Sequence, residues 1–121
     1  MVKIERTLHQ PDFDLFAKIS GDNNPIHVDA EFSARTRFGR TVSHGMLLYT
    51  ILWGMVQKQY PGARQASQNL MFPNPAYADE PLDFEVTEIS SDGNRRRLAT
   101  KASRKHDGAV VLDGETEIVL P

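Results

Sequence analysis

HGMLLYTILWGMVQKQY, residues 44–60, reads as one helix of about four to five turns that is apolar around nearly its whole circumference. Its hydrophilic residues gather at its end, in 57–59, and Pro61-Gly62 stops it. A helix that is apolar on every face has to be buried on every side. The sequence therefore predicts a central helix around which another layer of the protein wraps.

The chain changes from helical to extended patterns after residue 64. Apolar and polar residues alternate there with a period of two, as in strands with one buried face. The predicted strands are 82–87, 95–104 and 110–118, with a weaker extended piece at 68–72. Turn-forming residues at 91–94 and 106–108 predict hairpins between the last three strands.

The amino-terminal part of the chain mixes one strand with short helices. Residues 2–8 alternate as a strand does, and a helix is predicted from Gln10 to about Ser20-Gly21. A second short helix is predicted over 29–37, with Asp29 as its amino-terminal cap. The segment 20–27 between these two helices is predicted to be a loop.

Together these elements predict an α+β fold in one domain, residues 1–121. A curved antiparallel sheet wrapped around the 44–60 helix is the economical way to bury that helix. So short a chain would leave an edge strand and an apolar face open, and we therefore expect a homodimer formed through sheet edges.

Composition excludes several classes of protein. The net charge of −2 gives no support for nucleic-acid binding, and the absence of cysteine excludes disulfides, zinc–thiolate sites and cysteine nucleophiles. No apolar run reaches the roughly 18 to 20 residues of a membrane span. The charged start of the chain, residues 1–6, does not look like a signal peptide. The default expectation is a cytoplasmic protein without a membrane partner.

The segment SGDNNPIH, residues 20–27, is the first candidate for chemistry. Pro25 and the asparagines before it bend the chain, which could turn Asp22 and His27 toward one point. Each residue alone would be an ordinary turn residue. A carboxylate and an imidazole that converge are the usual equipment of general acid–base catalysis, and His44-Gly45 at the start of the apolar helix strengthens that interpretation.

A family resemblance covers the same residues. FAKISGDNNPIHVD at 16–29, Phe38-Gly39 and VSHGML at 42–47 resemble the two signature blocks of the MaoC-like (R)-specific enoyl-CoA hydratases. That resemblance implies a hot-dog fold, which agrees with the sheet-wrapped helix. It also implies reversible syn addition of water to trans-2-enoyl thioesters, without a metal or other cofactor, since coenzyme A or an acyl-carrier protein is part of the substrate.

The resemblance assigns roles to several residues. It implies that Asp22 and His27 form the catalytic dyad, without saying which makes each proton transfer. The peptide N–H of Gly45, in the first turn of a helix, is the natural donor to the developing enolate oxygen. Five further positions are candidate substrate contacts: Asn24, His44, Met46, Tyr49 and Trp53.

Some of these candidates have alternative interpretations. Asn24 could line the site or hold the loop, and His44 is expected to stabilise the loop or cap the helix rather than transfer a proton. Trp53 could simply fill the core, or it could shorten the acyl pocket and favour short enoyl groups. Tyr49 and Met46 could narrow the pocket in the same way.

The sequence also leaves room for other functions and sites. A metal site built from Asp22, His27, Asp29 and His44 is disfavoured. A hot-dog thioesterase and a non-catalytic thioester-binding subunit of a heterodimer are the alternative functions. Phosphate contacts of coenzyme A could come from Arg37 and Arg40, or from the basic cluster Arg95, Arg96, Arg97, Lys101, Arg104 and Lys105, although a solvated strand face explains that cluster better.

Overall fold

The computed structural model describes residues 1–121 and contains four helices and five strands. In chain order these are β1 Val2–Thr7, α1 Gln10–Ser20, α2 Pro25–Val28, α3 Ala30–Ala34, α4 Gly45–Gln59, β2 Arg64–Met71, β3 Pro81–Asp92, β4 Arg95–Arg104 and β5 Val110–Val119. The strands form one antiparallel sheet in the order β1-β3-β4-β5-β2. The predicted α+β, hot-dog arrangement of a sheet packed on one long helix is confirmed.

The core lies between α4 and the three central strands. Helix α4 packs on β3, β4 and β5, whose inward side chains alternate with exposed ones as predicted. Six side chains of α4 are buried in this core: Leu48, Tyr49, Ile51, Leu52, Met55 and Val56. Fully buried partners from the sheet include Leu82, Phe84, Leu98, Leu112 and Ile118.

Helix α4 is not buried on every side, and that prediction is wrong for the single chain. Met46 is 46% exposed, and Thr50 and Gly54 are also exposed. The sheet covers one side of the helix, whereas another side opens onto a groove of about 710 Å³ that β1 and α1 complete. An apolar residue at nearly every position of a helix therefore does not show whether the chain's own sheet covers the helix on all sides. One face of such a helix can remain open.

The short helices around residue 25 differ in detail from the predictions. Helix α1 ends as predicted, at Gly21 with φ +82°, a left-handed conformation that suits glycine. Pro25 begins a single helical turn, α2, where a loop was predicted, because proline is well tolerated at a first helical position. Helix α3 has the predicted cap, since Asp29 accepts a hydrogen bond from the Phe32 N–H at 3.0 Å, but ends at Ala34.

The edge strand β2 is longer than the weak signal at 68–72 predicted. It runs from Arg64 to Met71 along β5, with a bulge near Gln65 and Ser67. Most of its side chains are polar and exposed, so the period-two pattern that marks half-buried strands is absent. None of the helices is both long and apolar enough to cross a membrane.

Candidate active site

Asp22 and His27 converge, as their spacing on a bent segment suggested. Asp22 lies in the loop after Gly21, and His27 lies in α2. The Asp22 Oδ2 and His27 Nε2 atoms are 3.9 Å apart. The Asp22 side chain is 57% exposed and that of His27 is 14% exposed. A solvent-facing carboxylate thus stands beside a largely covered imidazole.

Hydrogen bonds fix the imidazole of His27. Its Nδ1 lies 2.8 Å from the backbone oxygen of Val42. A carbonyl oxygen only accepts, so Nδ1 carries the hydrogen and Nε2 of the neutral ring presents a lone pair toward Asp22. The backbone of α2 is held as well, because Gln10 Nε2 donates to the His27 oxygen at 2.9 Å and Ser33 Oγ donates to the Ile26 oxygen at 3.1 Å.

The gap between the carboxylate and the imidazole suits a water molecule. At 3.9 Å, Asp22 Oδ2 and His27 Nε2 are too far apart for a direct hydrogen bond. One water oxygen can stand within hydrogen-bonding distance of both atoms. Because both atoms are acceptors, such a water would direct its hydrogens at the protein and a lone pair away from it.

His44 lies underneath this pair. Its ring stacks on that of His27, with centroids 3.9 Å apart and planes 24° apart, and the Phe16 ring meets it edge-on at 4.9 Å. His44 Nε2–H donates to the backbone oxygen of Asp22 at 2.8 Å. His44 therefore stabilises the loop, which is the first of the two roles predicted for it. The second predicted role, capping of α4, is not observed, because the His44 side chain makes no capping hydrogen bond to that helix.

Burial lowers the pKa of His44 below its ordinary value of 6.5, although its bond to the Asp22 backbone oxygen acts in the opposite direction. The unfolded chain consequently binds more protons than the folded chain as pH falls below about 6.5. We expect the contribution of His44 to be fully favourable above that pH and to be lost on acidification. Urea midpoints measured from pH 8 to pH 5 should therefore fall more steeply for the wild type than for H44Q. Parallel pH profiles would contradict this expectation.

Gly45 supplies a free backbone donor in the same cleft as Asp22. It is the first residue of α4, where N–H groups have no partner within the helix. The cleft measures about 340 Å³ and also contains Met46 and Phe72. A Cβ on Gly45 would lie 2.7 Å from carbons of the Phe72 ring, so any larger residue there requires the half-exposed Phe72 side chain to move. The carboxylate and the amide can thus act on one bound molecule.

A family model described as "MaoC like domain" matches residues 2–110. The chain belongs to the MaoC-like family. It is 34% identical to the (R)-specific enoyl-CoA hydratase of Aeromonas caviae, over 88% of this chain and 81% of that protein. It is 30% identical to a mitochondrial 3-hydroxyacyl-[acyl-carrier-protein] dehydratase of Arabidopsis thaliana, over 96% of this chain and 72% of that protein.

The fold of this MaoC-like chain is also similar to a solved hydratase structure. The unliganded R-hydratase PhaJ1 from Pseudomonas aeruginosa superposes with a TM-score of 0.91 at 32% identity, over 99% of this chain and 79% of that one. The family named from two short sequence blocks is therefore confirmed across nearly the whole chain.

Among the candidate substrate contacts of this MaoC-like protein other than His44, only Met46 lines the cleft. Asn24 instead holds the loop, because its Oδ1 accepts the Ile26 N–H at 3.1 Å. Tyr49 is buried and bonded to Gln65 and Thr116, and Trp53 packs against the core. Neither of these two lines the cleft, and their role as substrate contacts stays a prediction.

Two residues of the site had no sequence signal that singled them out. Phe72 follows the edge strand β2, whose pattern is weak, and its position against Gly45 depends on tertiary packing. Gln10 was assigned only to the start of α1. Both of its side-chain amide atoms are used, since Thr41 Oγ1 donates to Oε1 at 2.6 Å while Nε2 holds the His27 carbonyl.

The arginines of this MaoC-like protein differ in their partners. Arg37 lines the cleft, stacks on Phe38 at 4.8 Å and forms no ion pair. Arg40 is paired with Glu80 at 2.6 Å and stacks on Tyr77. In the basic cluster, glutamates pair with all three consecutive arginines, which is what the solvated-face interpretation expects: Arg95 with Glu117, Arg96 with Glu88 and Arg97 with Glu115.

Three side chains of the site could each offer one ligand atom to a metal. One ligand atom each from Asp22, His27 and His44 lie within 4.8 Å of one another. One ring nitrogen of each histidine is already bonded to a backbone carbonyl, Val42 for His27 and Asp22 for His44. These bonds leave lone pairs on His27 Nε2 and His44 Nδ1, so the hydrogen bonding does not itself exclude a metal. Asp29, the fourth residue of the disfavoured metal set, instead caps α3.

Proposed function

We propose that this MaoC-like protein adds water reversibly to trans-2-enoyl thioesters and forms (R)-3-hydroxyacyl thioesters. Membership of the family and the hydratases and dehydratases among its relatives support this class of reaction. The observation that carries the proposal is the 3.9 Å gap between Asp22 and His27, next to the cleft that holds the free N–H of Gly45.

The proposed reaction uses one water molecule between the two side chains. The water oxygen attacks Cβ of the enoyl group while one of its protons passes to the Asp22–His27 pair. The pair then returns a proton to Cα from the same side, so that H and OH add syn. Dehydration follows the same steps in reverse, and neither a metal nor a cofactor is required.

The thioester oxygen gains negative charge as Cβ is attacked. The Gly45 N–H at the amino-terminal end of α4 can donate to that oxygen, and the helix dipole favours the charge. Removal of one such donor typically costs about 3 to 4 kcal/mol of transition-state stabilisation. The amide therefore complements the acid–base pair at the other end of the conjugated system.

The oligomeric state, the acyl carrier and the cellular location of the enzyme are part of the same proposal. We infer a homodimer, because the edge strand β2 carries unpaired backbone groups and ends in the exposed Met71, with the exposed Phe72 directly after it. The acyl carrier can be coenzyme A or an acyl-carrier protein, as the names of the relatives indicate for them. A cytoplasmic location remains part of this proposal.

The direct test is a panel of trans-2-enoyl-CoA and enoyl-carrier substrates. Hydration bleaches the enoyl absorbance in the ultraviolet without releasing thiol, and chiral analysis should give the (R)-3-hydroxyacyl product. Release of free thiol would instead identify a thioesterase. A failure to bleach any substrate on either carrier, with no thiol release, would favour the thioester-binding subunit.

The same panel tests the acyl-length hypothesis for Trp53. If the indole shortens the acyl pocket, the wild type should turn over C4 faster than C8, and W53A should narrow that preference. A core-filling role predicts instead that W53A lowers stability without changing the C4/C8 ratio. Because Trp53 is only partly buried, the loss should be smaller than the about 3 to 5 kcal/mol typical of a fully buried tryptophan. A clear wild-type preference for C8 would eliminate the hypothesis.

Arg37 is proposed to bind the phosphates of coenzyme A, because it is the cleft arginine without an acidic partner. We expect R37A to raise KM for crotonyl-CoA by about tenfold, the size of one charge-assisted hydrogen bond, with little change in kcat. Crotonyl-pantetheine, which has no phosphate, should not distinguish R37A from the wild type. The matched control is R95A, whose guanidinium pairs with Glu117 outside the cleft. Equal KM effects on both substrates would contradict the assignment.

A further inference from the structure

We infer that His44 is a positioning residue that aligns Asp22 and His27 for the reaction, and this inference rests on the proposed function. It touches both members of the pair, through different parts of its side chain. The Nε2–H bond of 2.8 Å fixes the backbone of Asp22, and the ring face supports His27 at a centroid distance of 3.9 Å.

The burial and neighbours of His44 make both of these contacts rigid. It is 1% exposed and held from a second side by the edge of the Phe16 ring. It also directly precedes Gly45, the proposed oxyanion donor at the start of α4. A single buried side chain therefore joins the loop of Asp22, the imidazole in α2 and the end of α4.

The hydrogen bonding of His44 also fixes its charge. Since Nε2 donates to a carbonyl, Nδ1 of the neutral ring has only a lone pair, and this buried atom has no hydrogen-bond partner. A proton on Nδ1 would be buried without an acceptor, which is costly. Burial without an acceptor therefore favours the neutral form of His44. The titratable groups that face it are His27 and Asp22, and a neutral ring places no charge beneath that pair.

Two substitutions separate the two contacts. H44F keeps a flat ring under His27 and removes the donor to Asp22, whereas H44Q keeps an N–H donor and removes the ring. We expect H44F to lower kcat for crotonyl-CoA hydration by about 10²-fold with KM nearly unchanged, the effect of a displaced catalytic group. H44Q should retain more activity, with kcat lowered by about tenfold. H106F, at an exposed turn, is the matched control and should behave as the wild type.

A double variant distinguishes positioning from general support of the fold. If His44 acts through Asp22, H44F should lower kcat far less in a D22N background than alone. A full 10²-fold loss in both backgrounds, or wild-type kcat in H44F, would overturn the inference. If H44F does not fold, H44Q decides alone, and wild-type kcat there would overturn the inference as well.

A measurement without substrate keeps this test separate from that of the proposed function. Imidazole nitrogen NMR should show sharp His27 ring signals in the wild type and in H106F. In H44Q the hydrogen bond to Val42 keeps the tautomer but the stacked ring is lost, so the His27 signals should be broadened by ring motion. Unchanged His27 signals in H44Q would contradict the positioning role. Absence of hydratase activity in a wild type with sharp His27 signals would instead refute the proposed reaction.

Discussion

D22N is expected to lower kcat for hydration of trans-2-enoyl thioesters by about 10³-fold, with a folded protein and a similar KM. Positioned acid–base groups contribute about 10² to 10⁴ in rate, and an amide in place of the carboxylate can no longer accept the proton of the attacking water. The fold should tolerate the change, because the Asp22 side chain is 57% exposed and the loop is held through its backbone. Steady-state bleaching of crotonyl-CoA measures the loss.

The control for this substitution is D113N, the same chemical change at an exposed position of β5. It should leave kcat unchanged. H27A should match D22N within about tenfold, and the double variant should be little worse than either single one, because the two groups act on one water. Full activity in D22N or in H27A would exclude the proposed mechanism. Multiplying effects in the double variant would show that the two residues act in separate steps.

The parts of the fold that the sequence predicted well are those whose signals are local. The alternation in β3, β4 and β5 marks one buried and one exposed face, and their hairpin turns contain glycine. Gly21 and Asp29 mark helix ends through their own backbone and side-chain chemistry. Such features arise from neighbouring residues and can be read without knowledge of the tertiary structure.

The parts that escaped prediction depend on contacts between distant segments. The open side of α4 results from how far the sheet extends, and β2 shows little alternation because its edge position leaves both faces polar. In the site, Asp22 and His27 could be paired from sequence because they lie five residues apart. The contact between His27 and His44 crosses seventeen residues, and the contact between Gly45 and Phe72 crosses twenty-seven, so neither was visible as a pattern.

G114A is expected to destabilise the protein by about 3 kcal/mol, and to lower Tm by about 10 °C. Gly114 lies inside β5, paired with Leu70 of β2 on one side and Thr100 of β4 on the other. A Cβ there would lie 2.1 Å from the backbone oxygen of Asn69 and 3.0 Å from Leu70 Cδ2. The first of these neighbours is backbone and cannot rotate away, so the edge strand has to move off β5.

The matched control is G54A, the same substitution on the exposed side of α4, where a new Cβ meets nothing within 4 Å. It should raise stability by about 0.5 to 1 kcal/mol, because alanine is the better helix former and loses less backbone freedom on folding. Thermal unfolding of both variants at equal protein concentration gives the comparison. The two substitutions change the unfolded chain alike. If their changes in the free energy of unfolding have opposite signs, the difference therefore arises in the folded state, where G114A clashes with Asn69. A Tm of G114A within about 2 °C of the wild type would show that β2 can shift at little cost, and a strand so loosely held could not form the dimer edge proposed above.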